Sequence, residues 1–453
     1  MSVIQTPDAA AGSDTSADLK FRADVREWLV ENLEGEFREL RGLGGPGREH
    51  EAFDERLEWD RHLAAAGWTC LGWPEQYGGR DATLRQQVIF HEEYAKADAP
   101  SRVSHLGEEL LGPTLLAFGT EEQKQRFLPG IRSVTELWCQ GYSEPGAGSD
   151  LAAVTTSARL EGDEWRINGQ KIWTSLAHLA DWCFVIARTE PGSSRHHGLS
   201  YLLVPMKQDG VEVRPIIQLT GTAEFNEVFF DDARTEASLV VGEPGKGWGV
   251  AMGTLTFERG ISTVGQQIRF ARELADLEAI ARDNGALQNP VIAERIDQAW
   301  VGLRVLRAHA LRTLASAHEN VDARAVSNGG TRGPSVVTQA AASRPDPSAA
   351  AAGQASVSKL LWANWHRDLG ELAMDVLGAP GLIAQSPMGG LPGPSVVTQA
   401  AASGPAGRPP ADDLNEWQRL FLFSRADTIY GGSNEVQRNI ISERVLGLPR
   451  EAR

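Results

Sequence analysis

Apolar residues at Leu19, Val25, Trp28, Leu29 and Leu33 follow helical spacing and predict a helix over residues 18–33, with Asp14, Ser16 and Asp18 available as caps. Similar spacing predicts helices over 53–66, 85–96 and 121–127, interrupted by the loop Gly72 to Gly79, so residues 1–136 form an N-terminal helical domain. The period then changes. Residues 155–160, 165–167, 183–188, 200–205, 211–215 and 227–230 read as short strands, and Glu161-Gly162-Asp163 and Asn168-Gly169 are turn signals between them. A middle β-barrel-like domain over 137–244 follows.

From Trp248 the helical period returns and runs to Asp283, with a second long helix from 290 to 319. Residues 245–453 are therefore expected to be a C-terminal domain built as a four-helix bundle. Two insertions interrupt it, near 321–356 and 386–411, where Ala, Gly, Ser, Pro and Arg dominate. The segment Gly333–Ser343 (GPSVVTQAAAS) recurs identically at Gly393–Ser403. One spacing of 60 residues is not a repeat architecture, and the composition predicts mobile loops without chemistry.

Composition narrows the function classes. A formal charge of −16 argues against a general hold on nucleic acid or anionic lipid, so any phosphate site must be local. Three scattered cysteines, Cys70, Cys139 and Cys183, are too few for a disulfide framework or zinc cluster, and no metal site is expected. Residues 1–14 lack a basic run followed by an apolar one, and no stretch approaches the roughly 20 apolar residues of a membrane span. The expected location is the cytoplasm.

Two stretches offer chemistry. Residues 137–150 (LWCQGYSEPGAGSD) combine three glycines, a proline and two serines after an apolar entry. Alone, the stretch fits either an ordinary tight loop or a cradle for a polar cofactor. Glu258 lies three residues from Leu255 and from Ile261 on a stripe with Ala251, Val264 and Ile268. A carboxylate on a buried face has a raised pKa suited to a general base, although pairing with Arg259 is the plainer reading.

Ser143 to Asp150, Asn168 to Trp173, Phe257-Glu258-Arg259 and Ile429 to Glu435 resemble, in order and spacing, motifs of the acyl-CoA dehydrogenase flavoprotein family. The resemblance spans Leu19 to Pro449 outside the insertions. It implies FAD held between the domains and across a subunit contact. It also implies α,β-dehydrogenation of an acyl-CoA thioester, in which a carboxylate takes the α-proton and the β-hydrogen leaves as hydride to the flavin. One branch of the family carries the base directly after the tyrosine of its Tyr-Glu-Gly motif. That position is Gly431 here, and the alternative placement, before an arginine on the first helix of the last domain, falls on Glu258.

By the same resemblance, the Gly431 N–H polarises the thioester carbonyl. Gln140, Ser143, Gly148, Ser149, Trp173, Ser175, Arg282, Ser433 and Glu435 are the candidate cofactor contacts; Ser149, Arg259 and Arg195 are the candidate substrate contacts. Ser433 could instead cap a helix, and the loop around Arg195 could be simply solvated. Two departures stand out: Gly285 follows Arg282 where many members have phenylalanine, and Asp375 to Gly381 replaces a glutamine-led glycine motif. The pattern resembles actinobacterial members acting on bulky acyl-CoAs such as steroid side chains, with an electron-transfer flavoprotein as acceptor and a homo- or hetero-oligomer, a dimer of dimers, as assembly. An oxidase of the same fold and a non-catalytic partner subunit are the rival readings.

Overall fold

The computed structural model describes residues 14–257, 262–327, 347–383 and 414–450. The N-terminal domain is helical as expected: α1 (Ser16–Asn32), α2 (Phe53–Ala65), α3 (Leu84–Lys96), a π-helical turn (Leu106–Leu111) leading into α4 (Gly112–Phe118), and α5 (Glu121–Arg132). The N-cap of α1 is Thr15, with Asp18 completing a capping box; Thr83 and Thr120 cap α3 and α5 in the same way. The π-turn and α4 escape the periodicity because Glu108-Glu109 and Gly112-Pro113 break up their apolar residues.

Eight strands form the middle domain: β1 (Trp138–Gly141), β2 (Ser157–Glu161), β3 (Glu164–Ser175), β4 (Trp182–Arg188), β5 (Leu199–Pro205), β6 (Val211–Ile216), β7 (Phe225–Glu236) and β8 (Val240–Val241). Their order is β6-β7-β3-β2-β4-β5-β8, with β1 also pairing β4 in parallel. The expected barrel-like layer is thus an open sheet, since β6 and β8 do not pair among the described residues. β4 and β5 are apolar at successive positions because both of their faces are covered. Phe184, Ile186, Tyr201 and Leu203 pack against the N-terminal helices, whereas Cys183, Val185, Leu202 and Val204 face the domain's own core.

Helices α6 (Gly247–Phe257), α7 (Ser262–Asp283), α8 (Pro290–Ser327), α9 (Pro347–Leu377), α10 (Glu416–Asp427) and α11 (Asn434–Ile440) complete the chain. Leu274, Leu277, Ile296, Leu369, Leu372 and Trp417 make one core from α7, α8, α9 and α10, the expected bundle of four. Composition misjudged the flanks of the first insertion: α8 runs through 321–327 and α9 through 347–356, because alanine-rich sequence is also good helix sequence. Both GPSVVTQAAAS segments lie outside the described residues.

Lys171 anchors the turn that follows β1. It stands on β3 at the same parity as the buried Trp165 and Ile167, so its side chain points into the protein and is fully buried. Its ammonium donates to Glu144 Oε1 at 2.9 Å and to the carbonyls of Tyr142 and Ile186 at 3.1 and 2.7 Å. Glu144 also accepts from the Thr155 and Thr156 N–H groups at 2.7 and 2.9 Å. Burial pushes this carboxyl up, but the Lys171 charge and these hydrogen bonds prevail and hold it at about 2.

A second clamp joins all three domains. Arg56 of α2, fully buried, donates to the carbonyls of Glu51 and Ser101 at 2.8 Å each and shapes the loop of residues 42–51. A side chain at Gly44 would overlap this guanidinium, its Cβ falling 2.1 Å from Nη1. The Gly47 and Glu49 N–H groups of the loop both donate, at 3.0 Å, to Glu224 just before β7, and Gly47 packs on the Phe423 ring of α10. Burial raises the Glu224 carboxyl to about 7, against the pull of the two N–H donors.

Replacing Lys171 with Met strands a buried carboxylate, and a loss of about 3–5 kcal/mol is expected, read as a depressed thermal midpoint. For Glu224 the sign is opposite to that of Glu144. The folded protein favours protonated Glu224, so its stability contribution is complete below the ordinary carboxyl pKa of 4.5 and is lost as pH rises through about 7. Thermal melts of Glu224→Gln from pH 4.5 to 8 should therefore lose this component of the decline; an unchanged slope would contradict the assignment.

Candidate functional site

The 143–149 turn stands on the Lys171–Glu144 clamp. Glu144 and Ala147 exchange backbone hydrogen bonds at 3.1 and 2.9 Å, placing Pro145 and Gly146 at the tip, and the Ser143 carbonyl accepts from Ile172 N–H at 2.9 Å. Neither Gly146 nor Gly148 is required by the chain's own packing, because an added Cβ would meet nothing within 4 Å at either position. Open space lies over them. Gly148 and Ser149 are exposed and Ser143 is half-buried. At the base of the turn, Gln140 has an enclosed Nε2 without a hydrogen-bond partner.

Trp173 lies on the neighbouring strand. The β3–β7 register slips between Lys171 and Thr174, and at the slip Trp173 takes a left-handed backbone with φ of 60°. This bulge turns the indole out of the sheet. It is 56% exposed, touching Phe225 edge-on at 6.2 Å, while adjacent Thr174 is fully buried with Oγ1 unsatisfied. An exposed tryptophan on a strained bulge, beside unsatisfied polar atoms, is the arrangement of a binding platform. Ser175 closes the strand opposite Phe225.

Gly431 follows the end of α10. Gly431 and Gly432 have φ of 62° and 86°, and their carbonyls accept from the buried Gln437 side chain at 2.9 and 3.2 Å. No described group accepts from the Gly431 N–H, although the residue is half-buried. The interdomain clamp connects this segment to the Trp173 platform. Phe225, which touches Trp173, follows Glu224; Glu224 holds Gly47; Gly47 lies on Phe423; and the Phe423 ring is 6.5 Å from that of Tyr430.

The other candidates divide. Glu258 and Arg259 lie outside the described residues, between α6 and α7; α6 itself is fastened by Thr254, which meets Thr114 at 2.8 Å. Arg282 ends α7, about 30 Å of helix from Ser262, and pairs with Glu278 at 2.7 Å, so the fold separates it from the start of α7. Ser433 caps α11 through Val436 N–H at 3.4 Å, the helix-capping alternative, and Glu435 is exposed beside Arg438. Arg195 is exposed, on a loop gathered by Arg188, whose guanidinium donates to the carbonyls of Arg195 and His197. Next to it, His196 lies 4.4 Å from the Trp248 ring at the start of α6.

Sequence reasoning assigned no role to Glu144, Lys171, Glu224 or Arg56. Lys171 had a signal, a charge at an inward-facing strand position. Glu224 had none because its donors, Gly47 and Glu49, come from another domain, and Arg56 had none because its partners are largely loop carbonyls, which leave no mark on the side-chain pattern.

Among the described residues no group of three or more His, Cys, Asp or Glu forms a metal site, and no helix is long and apolar enough to cross a membrane. Residues 15–135, 139–233 and 335–446 match the sequence profiles of the acyl-CoA dehydrogenase N-terminal, middle and C-terminal domains. The chain is 61% identical over 434 residues to the acyl-CoA dehydrogenase IpdE1 of Mycobacterium tuberculosis, covering 96% of this chain and 98% of that protein. It is 58% identical to IpdE1 of Mycolicibacterium smegmatis, with the same coverages. Among solved structures it resembles the Tcur3481-Tcur3483 steroid ACAD (TM-score 0.72, 29% identity, 97% of this chain and 99% of that one). It also resembles the ChsE4-ChsE5 complex from Mycobacterium tuberculosis (TM-score 0.70, 27% identity, 97% and 99%). With three domain profiles in order and full-length relatives at this identity, the chain belongs to the acyl-CoA dehydrogenase family, as an oxidoreductase of that family.

Proposed function

We propose that the protein catalyses FAD-dependent α,β-dehydrogenation of a bulky, steroid-type acyl-CoA, with Glu258 as the base. The observation that carries this reading is the Trp173 platform, an exposed indole held out on a strained bulge beside the open turn at Gly148. The residues present suit a flavin: Gln140 and Thr174 have unsatisfied polar atoms, Gly146 and Gly148 leave room for close approach, and Ser143, Ser149 and Ser175 add hydroxyls. When bound, FAD supplies the acceptor for the β-hydride.

The chain's own task is to acidify and remove the α-proton. The Gly431 N–H donates to the thioester carbonyl and stabilises the negative charge that grows on its oxygen. Glu258 takes the proton as general base. Ser149, Arg259 and Arg195 contact the substrate. Arg282, at the far end of α7, fits a contact with a neighbouring subunit's cofactor, and Ser433 and Glu435 reach the cofactor from beside Gly431. The domain limits 1–136, 137–244 and 245–453 place the seams between the base, the platform and the N-terminal helices.

The steroid-type substrate and a hetero-oligomeric assembly draw support from the steroid ACAD and the ChsE4-ChsE5 complex, and an electron-transfer flavoprotein is the proposed acceptor. The expected preparation is yellow, and steroid-type acyl-CoA bleaches it anaerobically; a colourless protein would favour the partner-subunit rival. Glu258→Gln should keep its colour while bleaching slows by about 10²–10⁴-fold, as for loss of a positioned base. Trp173→Ala is expected to release flavin on dilution more readily than the wild type, measured by equilibrium dialysis.

A further inference from the structure

Helix α9 carries Lys359, Ala363, His366 and Gly370 on one face, at helical spacing, against the C-terminal half of α10. Small residues there let the helices pack closely: a Cβ at Gly370 would come within 2.9 Å of Ser424 Oγ and 3.0 Å of the Phe421 backbone. Two cations on such a face need a reason. Both converge on Asp427, the last residue of α10, which is 1% exposed. Lys359 donates from Nζ to the Asp427 carbonyl, and His366 Nδ1 meets Asp427 Oδ2 at 2.6 Å. The other carboxylate oxygen, Oδ1, accepts from Tyr430 Oη at 2.6 Å.

The Lys359 ammonium also lies over the rings of Trp362 and Tyr430, at 4.3 and 4.6 Å from their centroids. His366 is stacked on Phe270 at 4.5 Å and faces Glu273 on its other side at 3.3 Å. Burial pulls its pKa down, but the bonds and charges of Asp427 and Glu273 overcome this and raise it to about 10, so the imidazole is a fixed cation at neutral pH. Asp427 is thus tied on three sides, and Tyr430, one of its three partners, is covalently next to Gly431.

We propose that Lys359 and His366 act through Asp427 and Tyr430 as positioning residues, setting the backbone at Gly431 so that its N–H meets the thioester carbonyl. The proposal rests on the catalytic reading of Gly431 given above. Gln437 and Asn434 restrain the far side of the same turn, through the Gly431 and Gly432 carbonyls and through Asn364 at 3.0 Å. The Asp427 network reaches it from the side of Tyr430. A donor displaced by a fraction of an ångström loses much of its effect on a developing oxyanion while still admitting substrate. The network therefore acts on turnover rather than on binding.

Asp427→Asn keeps the shape and removes the charge; Tyr430→Phe removes one hydroxyl from a half-buried ring and serves as the milder variant should the first fail to fold. For each, kcat is expected to fall by about 10–100-fold with KM within about threefold of wild type. The direct readout is the carbonyl stretch of bound steroid-type acyl-CoA carrying ¹³C at the thioester carbon, measured in Glu258→Gln protein to prevent turnover. Glu258→Gln alone should show the band shifted down by the Gly431 hydrogen bond, and adding Asp427→Asn or Tyr430→Phe should shrink that shift. A shift that survives both additions, with kcat unchanged, overturns the network. The absence of any shift in Glu258→Gln alone overturns the catalytic reading of Gly431 instead.

Discussion

A lysine ammonium sealed away from water at the heart of the middle domain sets the shape of the 143–149 turn. Isolated, such a charge would be strongly disfavoured; Lys171 persists because it finds one carboxylate and two carbonyls at bonding distance. The same contacts fasten β1, β3, β4 and the 143–149 turn to one point. Glu144 spreads the tie through its bonds to Thr155 and Thr156, which lead into β2. A turn rich in glycine and proline would otherwise have many conformations open to it. Here it has one, and its glycines are left free to border open space.

The remaining parts follow from where that platform meets the other domains. Trp173 is presented by the strand that carries Lys171, two residues further on, and the bulge that exposes it begins at the clamp. The loop of residues 42–51, formed around Arg56, closes the distance to α10 by bonding Glu224 and packing on Phe423. Gly431 then sits on a turn whose restraints come from α9, α10 and α11 together. Each domain contributes something the others lack. The middle domain carries Trp173 on its bulge, the C-terminal domain the Gly431 turn, and the N-terminal loop the link between them.

Much of this was legible in the sequence. Helical and two-residue periods identified the three domains in order, and the six longer strands overlap their expected positions, β4 and β5 as continuous apolar runs covered on both faces, while β3 and β7 run on to Ser175 and Glu236, past their expected ends at Ile167 and Phe230. β1 was read only as the apolar entry to a loop, and β8 is two residues long; neither is long enough to show a period. Of the site, the motifs pointed to Ser143, Gly148, Trp173, Glu258 and Gly431. The sequence left open whether Ser433 caps a helix, as it does for α11, and did not convey that Arg282 lies at the end of α7, far from its start.

By itself, then, the sequence determined the domain order and the family, since these depend on local periodicity and on residue types at short spacing. Tertiary structure alone decided which charges are buried and with whom. Lys171 meets Glu144 across 27 positions, Glu224 meets Gly47 across 177, and Asp427 meets Lys359 across 68. Such pairings have no periodic trace, because they arise only when separate elements remove the same polar groups from water and must then satisfy them.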